Sequence, residues 1–85
     1  MKFTYPAIFT PIGVEGYEIH YPDFPSVRTQ GRDFNEAAYK ATDVLKIWAD
    51  YVTNQGVQLP KASVPYNGEL NVGQFIKYIE VDTVD

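Results

Sequence analysis

The sequence predicts an α+β domain of order β-β-β-α-β, a mostly antiparallel sheet with one long helix packed on one face. Three observations predict it. Apolar residues recur at helical spacing over one stretch only, Asp33 to Gln55. Short segments rich in aromatic and β-branched residues, bounded by Gly and Pro, stand three before that stretch and one after it. The first two are joined by a short Gly-containing turn, as antiparallel neighbours are.

The first strand is expected over Lys2 to Thr10. Phe3, Tyr5, Ala7 and Phe9 point one way, and Lys2, Thr4, Pro6, Ile8 and Thr10 the other. Pro6 has no N–H, so the strand is expected to lie near an edge there or to leave that position unpaired. Pro11 to Gly16 reads as a turn, and Tyr17 to Tyr21 as the second strand of a hairpin. Pro22-Asp23-Phe24-Pro25 then forms a stiff, extended corner, because each proline fixes its own φ and restricts the residue before it. Either isomer of the Phe24–Pro25 bond is compatible with the sequence. Val27 to Gln30 is a short third strand, and Gly31 turns the chain into the helix.

Asp33 is the expected N-cap, with Glu36 completing a capping-box pattern, and Gly56 ends the helix. At about 100° per residue, Phe34, Ala37, Ala38, Ala41, Val44, Leu45, Trp48, Ala49 and Val52 form one apolar stripe. Glu36, Asp43, Lys46, Asp50 and Asn54 line the opposite side. The connection from Val57 to Gly73 is irregular, with Pro60, Pro65 and an Asn67-Gly68 hairpin signal. Gln74 to Val81 is the last strand. Phe75, Lys77, Ile79 and Val81 share one face; Ile76, Tyr78 and Glu80 share the other. Both faces are partly apolar. One helix covers one face, so the second is expected to meet another molecule.

The 85 residues fit a single domain, 1–85. Without cysteine there are no disulfides or thiolate metal sites. No apolar run is long enough to span a membrane, and Met1 to Pro6 lacks the apolar core of a signal peptide. A cytoplasmic location is therefore expected. The net charge is −4, and the seven basic residues are scattered. Phosphate contacts need a basic stripe, so direct nucleic-acid binding is not expected. The acid excess favours a basic partner through long-range steering.

No constellation carries enzyme chemistry. His20 is the only histidine, lies on the polar side of its strand beside Glu18, and reads as a hydrogen-bonded surface group. A metal-dependent nuclease needs several carboxylates on adjacent strands. The first strand has none, Asp33 is a cap, and Asp43 and Asp50 lie on the outer side of the helix. There is no Gly-rich phosphate loop, and Ser26 and Ser63 adjoin proline turns. No catalytic residue, metal or cofactor is assigned. Ile47 and Tyr51, at i and i+4, lie about 220° and 260° from Phe34, outside the core stripe, and are interface candidates.

Several motifs resemble the HicB family, the antitoxins of HicA–HicB toxin–antitoxin pairs. They are Tyr5-Pro6-Ala7-Ile8-Phe9, the corner Tyr21-Pro22-Asp23-Phe24-Pro25, Thr29-Gln30-Gly31, and Asp33 with Glu36-Ala37. Trp48, Leu59-Pro60 and Val81-Asp82 also fit, so the resemblance runs along essentially the whole chain. It implies a partial ribonuclease-H-like fold without working catalytic carboxylates. It also implies a non-catalytic role, binding a small basic HicA-like mRNA-cleaving toxin and masking its active-site histidine, and assembly into dimers or larger oligomers. The family corner usually continues with Gly, where this chain has Ser26. Many members carry a C-terminal operator-binding motif. The sequence ends at Asp85, so no operator binding is expected of it.

The expected partner-facing residues are Asp23, Phe24, Ile47 and Tyr51, chosen for exposure combined with acidic or apolar character. Ile76 and Tyr78, on the second face of the last strand, are the expected oligomer contacts. The competing readings are a stand-alone oligomeric scaffold and a divergent metal-dependent nuclease in which Glu18 and Asp23 converge on a metal.

Overall fold

β1 (Lys2–Ile12) is the strand on which the sheet is assembled. In the computed structural model, which describes residues 2–83, it pairs on one side with β4 (Phe75–Asp82) and on the other with β2 (Gly16–His20). β3 (Arg28–Gly31) pairs with β2, giving the antiparallel order β3-β2-β1-β4. The two pairings of β1 are offset. β4 runs along Lys2 to Phe9, whereas β2 begins only at Ile8 and continues to Ile12. Pro6 therefore lies where β2 no longer borders β1, the kind of position its missing N–H requires. β1 also runs two residues further than the alternation predicts. Pro11 and Ile12 still pair with Tyr17 and Gly16, and the turn shrinks to Gly13, Val14 and Glu15.

α1 (Phe34–Asn54) packs across the face formed by Tyr5, Ala7, Phe9, Ile19, Tyr21, Ile79 and Val81. Asp33 caps it through Oδ1, which accepts from Glu36 N at 2.8 Å. Glu36 reaches back one residue beyond the usual box, its Oε1 accepting from Arg32 N at 2.9 Å. At the other end Gly56 takes φ +73°. Replacing Asp33 by alanine removes the cap acceptor. The expected cost is about 1 kcal/mol, read as a lower urea midpoint at unchanged slope.

Ala37, Ala41, Leu45 and Ala49 form the fully buried line of the helix. Three of the four are alanine, so the helix axis lies close to the sheet. The approach is tight at β3, where an added Cβ on Gly31 would stand 2.3 Å from Ala37 N. Phe34 is half-exposed, yet its ring packs on Phe9 and Phe75, with centroids at 5.7 and 6.1 Å.

The connection between α1 and β4 contains no hairpin at Asn67-Gly68; the Tyr66 ring folds over Gly68 instead. The cis peptide among the described residues is Val64–Pro65, and Phe24–Pro25 is trans. Side chains pin this connection to the body. Tyr5 Oη donates to Pro60 O, and Ser63 donates to Asp23 through N (3.0 Å) and Oγ (2.6 Å). Further on, Tyr66 N donates to Tyr78 Oη at 3.0 Å and Gln74 Nε2 to Thr10 Oγ1 at 2.9 Å. Tyr78 and Thr10 lie on the sheet face away from α1, with Pro6 and Ile8. The connection thus reaches the second face, and Pro6 and Ile8 there are buried. The expectation that this face depends wholly on another molecule is corrected: the long connection, which the sequence left unplaced, supplies part of the cover. Among the described residues, no helix is long and apolar enough to cross a membrane.

Candidate partner-binding surface

The corner after β2 folds as two successive turns. Phe24 N donates to Tyr21 O at 3.1 Å, and Val27 N to Phe24 O at 3.0 Å. Together they swing the Phe24 ring under the helix. It stacks on Trp48 at 3.8 Å and 12°, stacks on Tyr21 at 4.9 Å, and meets Tyr5 edge-on at 4.9 Å. Aromatic pairs in these geometries contribute beyond their buried area. Tyr21 Oη donates to Ala41 O at 2.6 Å, tying the corner to mid-helix, and burial raises its phenol pKa. The Tyr5 phenol is raised too, by burial first and then by the nearby Asp23 carboxylate.

Phe24 is only 7% exposed, so the exposure on which its selection rested is absent. The physical reason is Trp48, which offers a flat apolar ring above the corner. Asp23 is half-buried, and both its carboxylate oxygens accept from Ser63; it clamps the connection. Ile47 and Tyr51 are exposed, at 61% and 64%. They form the outer wall of a shallow groove of about 390 Å³, completed by Val44, Trp48 and the Ser26–Arg28 segment.

The helical periodicity assigns Val44 and Trp48 to the core stripe, and the structure gives both a second place on the groove wall. The helical wheel places Tyr51, Val44 and Trp48 at about 260°, 280° and 320° from Phe34, so over the turns from Val44 to Tyr51 the apolar arc runs from the core out to Ile47, and Lys40 enters it only nearer the helix start. That continuity was the available signal. The part of the groove contributed by Ser26, Val27 and Arg28 had none, since it depends on how the corner folds.

Two acidic groups stand beyond the groove's outer wall, and neither is among the residues that line it. Asp43 and Asp50 lie one turn to either side of Ile47 on the helix. Asp50 pairs with Lys46 at 3.2 Å, and the same ammonium donates to Asp82 O at 3.1 Å. Asp43 is exposed and forms no ion pair among the described residues. Arg28 lines the groove on the corner side, its Nε donating to Pro25 O while its guanidinium stands 3.9 Å from Glu18. A wider concavity of about 740 Å³ opens at the other end of α1, lined by the charged residues Glu15, Arg32, Glu36 and Lys40, of which Arg32 and Lys40 both pair with Glu36. Arg32 holds the Glu36 carboxyl below its ordinary pKa.

Ile76 and Tyr78 lie on the opposite sheet face, Ile76 half-buried and Tyr78 exposed. His20 is on that face as well. Its pKa is lowered by burial and by Arg28, against a smaller opposing effect of Glu18. Glu18 and Asp23 have separate partners, Arg28 and Ser63. Among the described residues, no group of three or more His, Asp or Glu side chains is placed to hold a metal ion.

A family model described as a HicB-like antitoxin of a bacterial toxin–antitoxin system matches residues 4–74. The fold is also similar to a chain in a solved "Toxin-Antitoxin complex from Streptococcus pneumoniae", with a TM-score of 0.77 and 25% identity. That likeness covers 96% of this chain and 70% of the other. Comparison with curated proteins finds no match. The family model runs from Thr4 within β1 through the corner, α1 and the whole connection to Gln74, most of the chain, and the protein therefore belongs to the HicB-like antitoxin family.

Proposed function

We propose that this domain is a non-catalytic antitoxin module that binds a small basic HicA-like mRNA-cleaving toxin and masks its active site. The observation that carries the proposal is the family match over residues 4–74. The likeness to a chain from a toxin–antitoxin complex supports it. So does the net charge of −4, which favours encounter with a basic protein. The separate partners of Glu18 and Asp23 weigh against the nuclease reading. The test begins with the genes flanking this one: a small basic reading frame there is co-expressed with this chain, and the absence of such a frame favours the stand-alone scaffold reading instead. Relief of growth arrest and co-purification support the proposal. Arrest that persists, with no complex recovered, removes it. Metal-dependent RNA cleavage by the purified domain, lost in Asp23→Ala, would replace it with the nuclease reading.

Self-association belongs to the same proposal. The exposed part of the second sheet face, at Ile76 and Tyr78, is where a second copy would add. Light scattering that shows a monomer at high micromolar concentration would remove this part alone.

A further inference from the structure

We infer that the groove between α1 and the corner is the docking site for the basic partner, with one apolar side chain of the partner seated in it and flanking lysines or arginines on Asp43 and Asp50. The inference rests on the antitoxin reading and adds the surface and its chemistry. Val44 and Trp48 form the inner wall, and Ile47 and Tyr51 the outer wall. The inner wall is stiff, because the Trp48 ring is stacked on buried Phe24. A pre-shaped apolar wall needs little ordering when a partner binds, which lowers the entropic cost of docking.

The occupant follows from charge. The chain carries a net charge of −4. Asp43 and Asp50 stand just beyond the outer wall, one turn to either side of Ile47, with Asp50 shared with Lys46. Arg28, the charged residue among those lining the groove, has its Nε on Pro25 O and its guanidinium near Glu18. Asp43 has no ion-pair partner among the described residues. An apolar centre with a carboxylate one turn to each side complements an apolar anchor between basic residues. It disfavours an RNA strand, whose phosphates would meet carboxylates. A second copy of this chain is a weaker match, since two such faces would bring like charges together.

The test is calorimetric titration of the intact domain with a purified small basic HicA-like toxin, in low and moderate salt. Two variants are compared with the wild type: Ile47→Ala with Tyr51→Ala, and Asp43→Lys with Asp50→Lys. All four positions lie on the outer side of α1, and melting curves confirm that the variants fold. Glu69→Lys, exposed on the connection, is the control.

Each double variant is expected to weaken binding by roughly tenfold or more, with the control unchanged. The charge variant is also expected to flatten the salt dependence of the wild type. Wild-type binding that both variants retain overturns the groove assignment and leaves the antitoxin reading standing. No binding by the wild type overturns both. Self-association of the wild type that Ile47→Ala with Tyr51→Ala abolishes assigns the groove to a second copy, which also overturns the inference.

Discussion

Gly31→Ala is expected to destabilise the domain severely. The new methyl group would stand 2.3 Å from Ala37 N, 2.6 Å from Ala37 Cα and 2.9 Å from the Glu36 carbonyl carbon. All three are backbone atoms in the first turns of α1, so no side chain can rotate aside to make room. The helix must lift off β3, and lifting it exposes the line that begins with Ala37 and Ala41. Overpacking a well-filled core typically costs about 1–3 kcal/mol, and a backbone obstacle places this case at the upper end or above it. A domain of this size holds on the order of 5–10 kcal/mol in all. The expected reading is a melting temperature lower by about 15 °C or more. A loss below about 1 kcal/mol would show that α1 slides on the sheet without penalty, contrary to the close packing described above.

The fate of Gly31 shows what the sequence makes visible and what it hides. The sequence marks Gly31 as the place where the chain leaves the third strand for the helix, whereas in the structure it is still the last residue of β3, paired with Tyr17. Its tight approach to Ala37 is not marked, since that depends on how the whole helix settles. The same division runs through the fold. Asp33, Glu36 and Gly56 mark the helix ends through bonds that span a few residues, and the alternation along β1 and β4 reads directly onto their faces.

Phe24 and the long connection behaved differently. Phe24 lies in a proline-bounded corner of the kind usually found at the surface, and is buried by Trp48, 24 positions further along. The path of the connection is set by the Asp23–Ser63 clamp, whose partners are 40 positions apart. No local pattern encodes such a meeting. The candidate surface was half legible for the same reason. Ile47 and Tyr51 stand out on the helical wheel, whereas their opposite wall, Ser26 to Arg28, exists only once the corner has closed.

Phe24→Ala is expected to have the second large effect, and it reaches from stability to function. The ring fills the space between Trp48, Tyr21 and Tyr5, so truncation leaves a cavity that three large rings cannot all collapse into. Removing a buried Phe typically costs about 3–5 kcal/mol, a large fraction of the stability of a domain this size. Urea unfolding should show it as a lower midpoint with little change in slope. Trp48 is the only tryptophan, so fluorescence reports on this site alone. Without Phe24 beneath it the indole gains freedom and water, and its emission should shift to longer wavelength while the fold persists. Phe24→Leu keeps much of the volume and should cost less than half as much. The groove loses its rigid inner wall in the alanine variant, although no groove-lining residue has been changed. If the domain is an antitoxin that docks its partner there, affinity must fall at temperatures where Phe24→Ala is still folded. Unchanged emission and a loss below about 1 kcal/mol would mean that Phe24 does not support Trp48, and the corner would then be a passive turn.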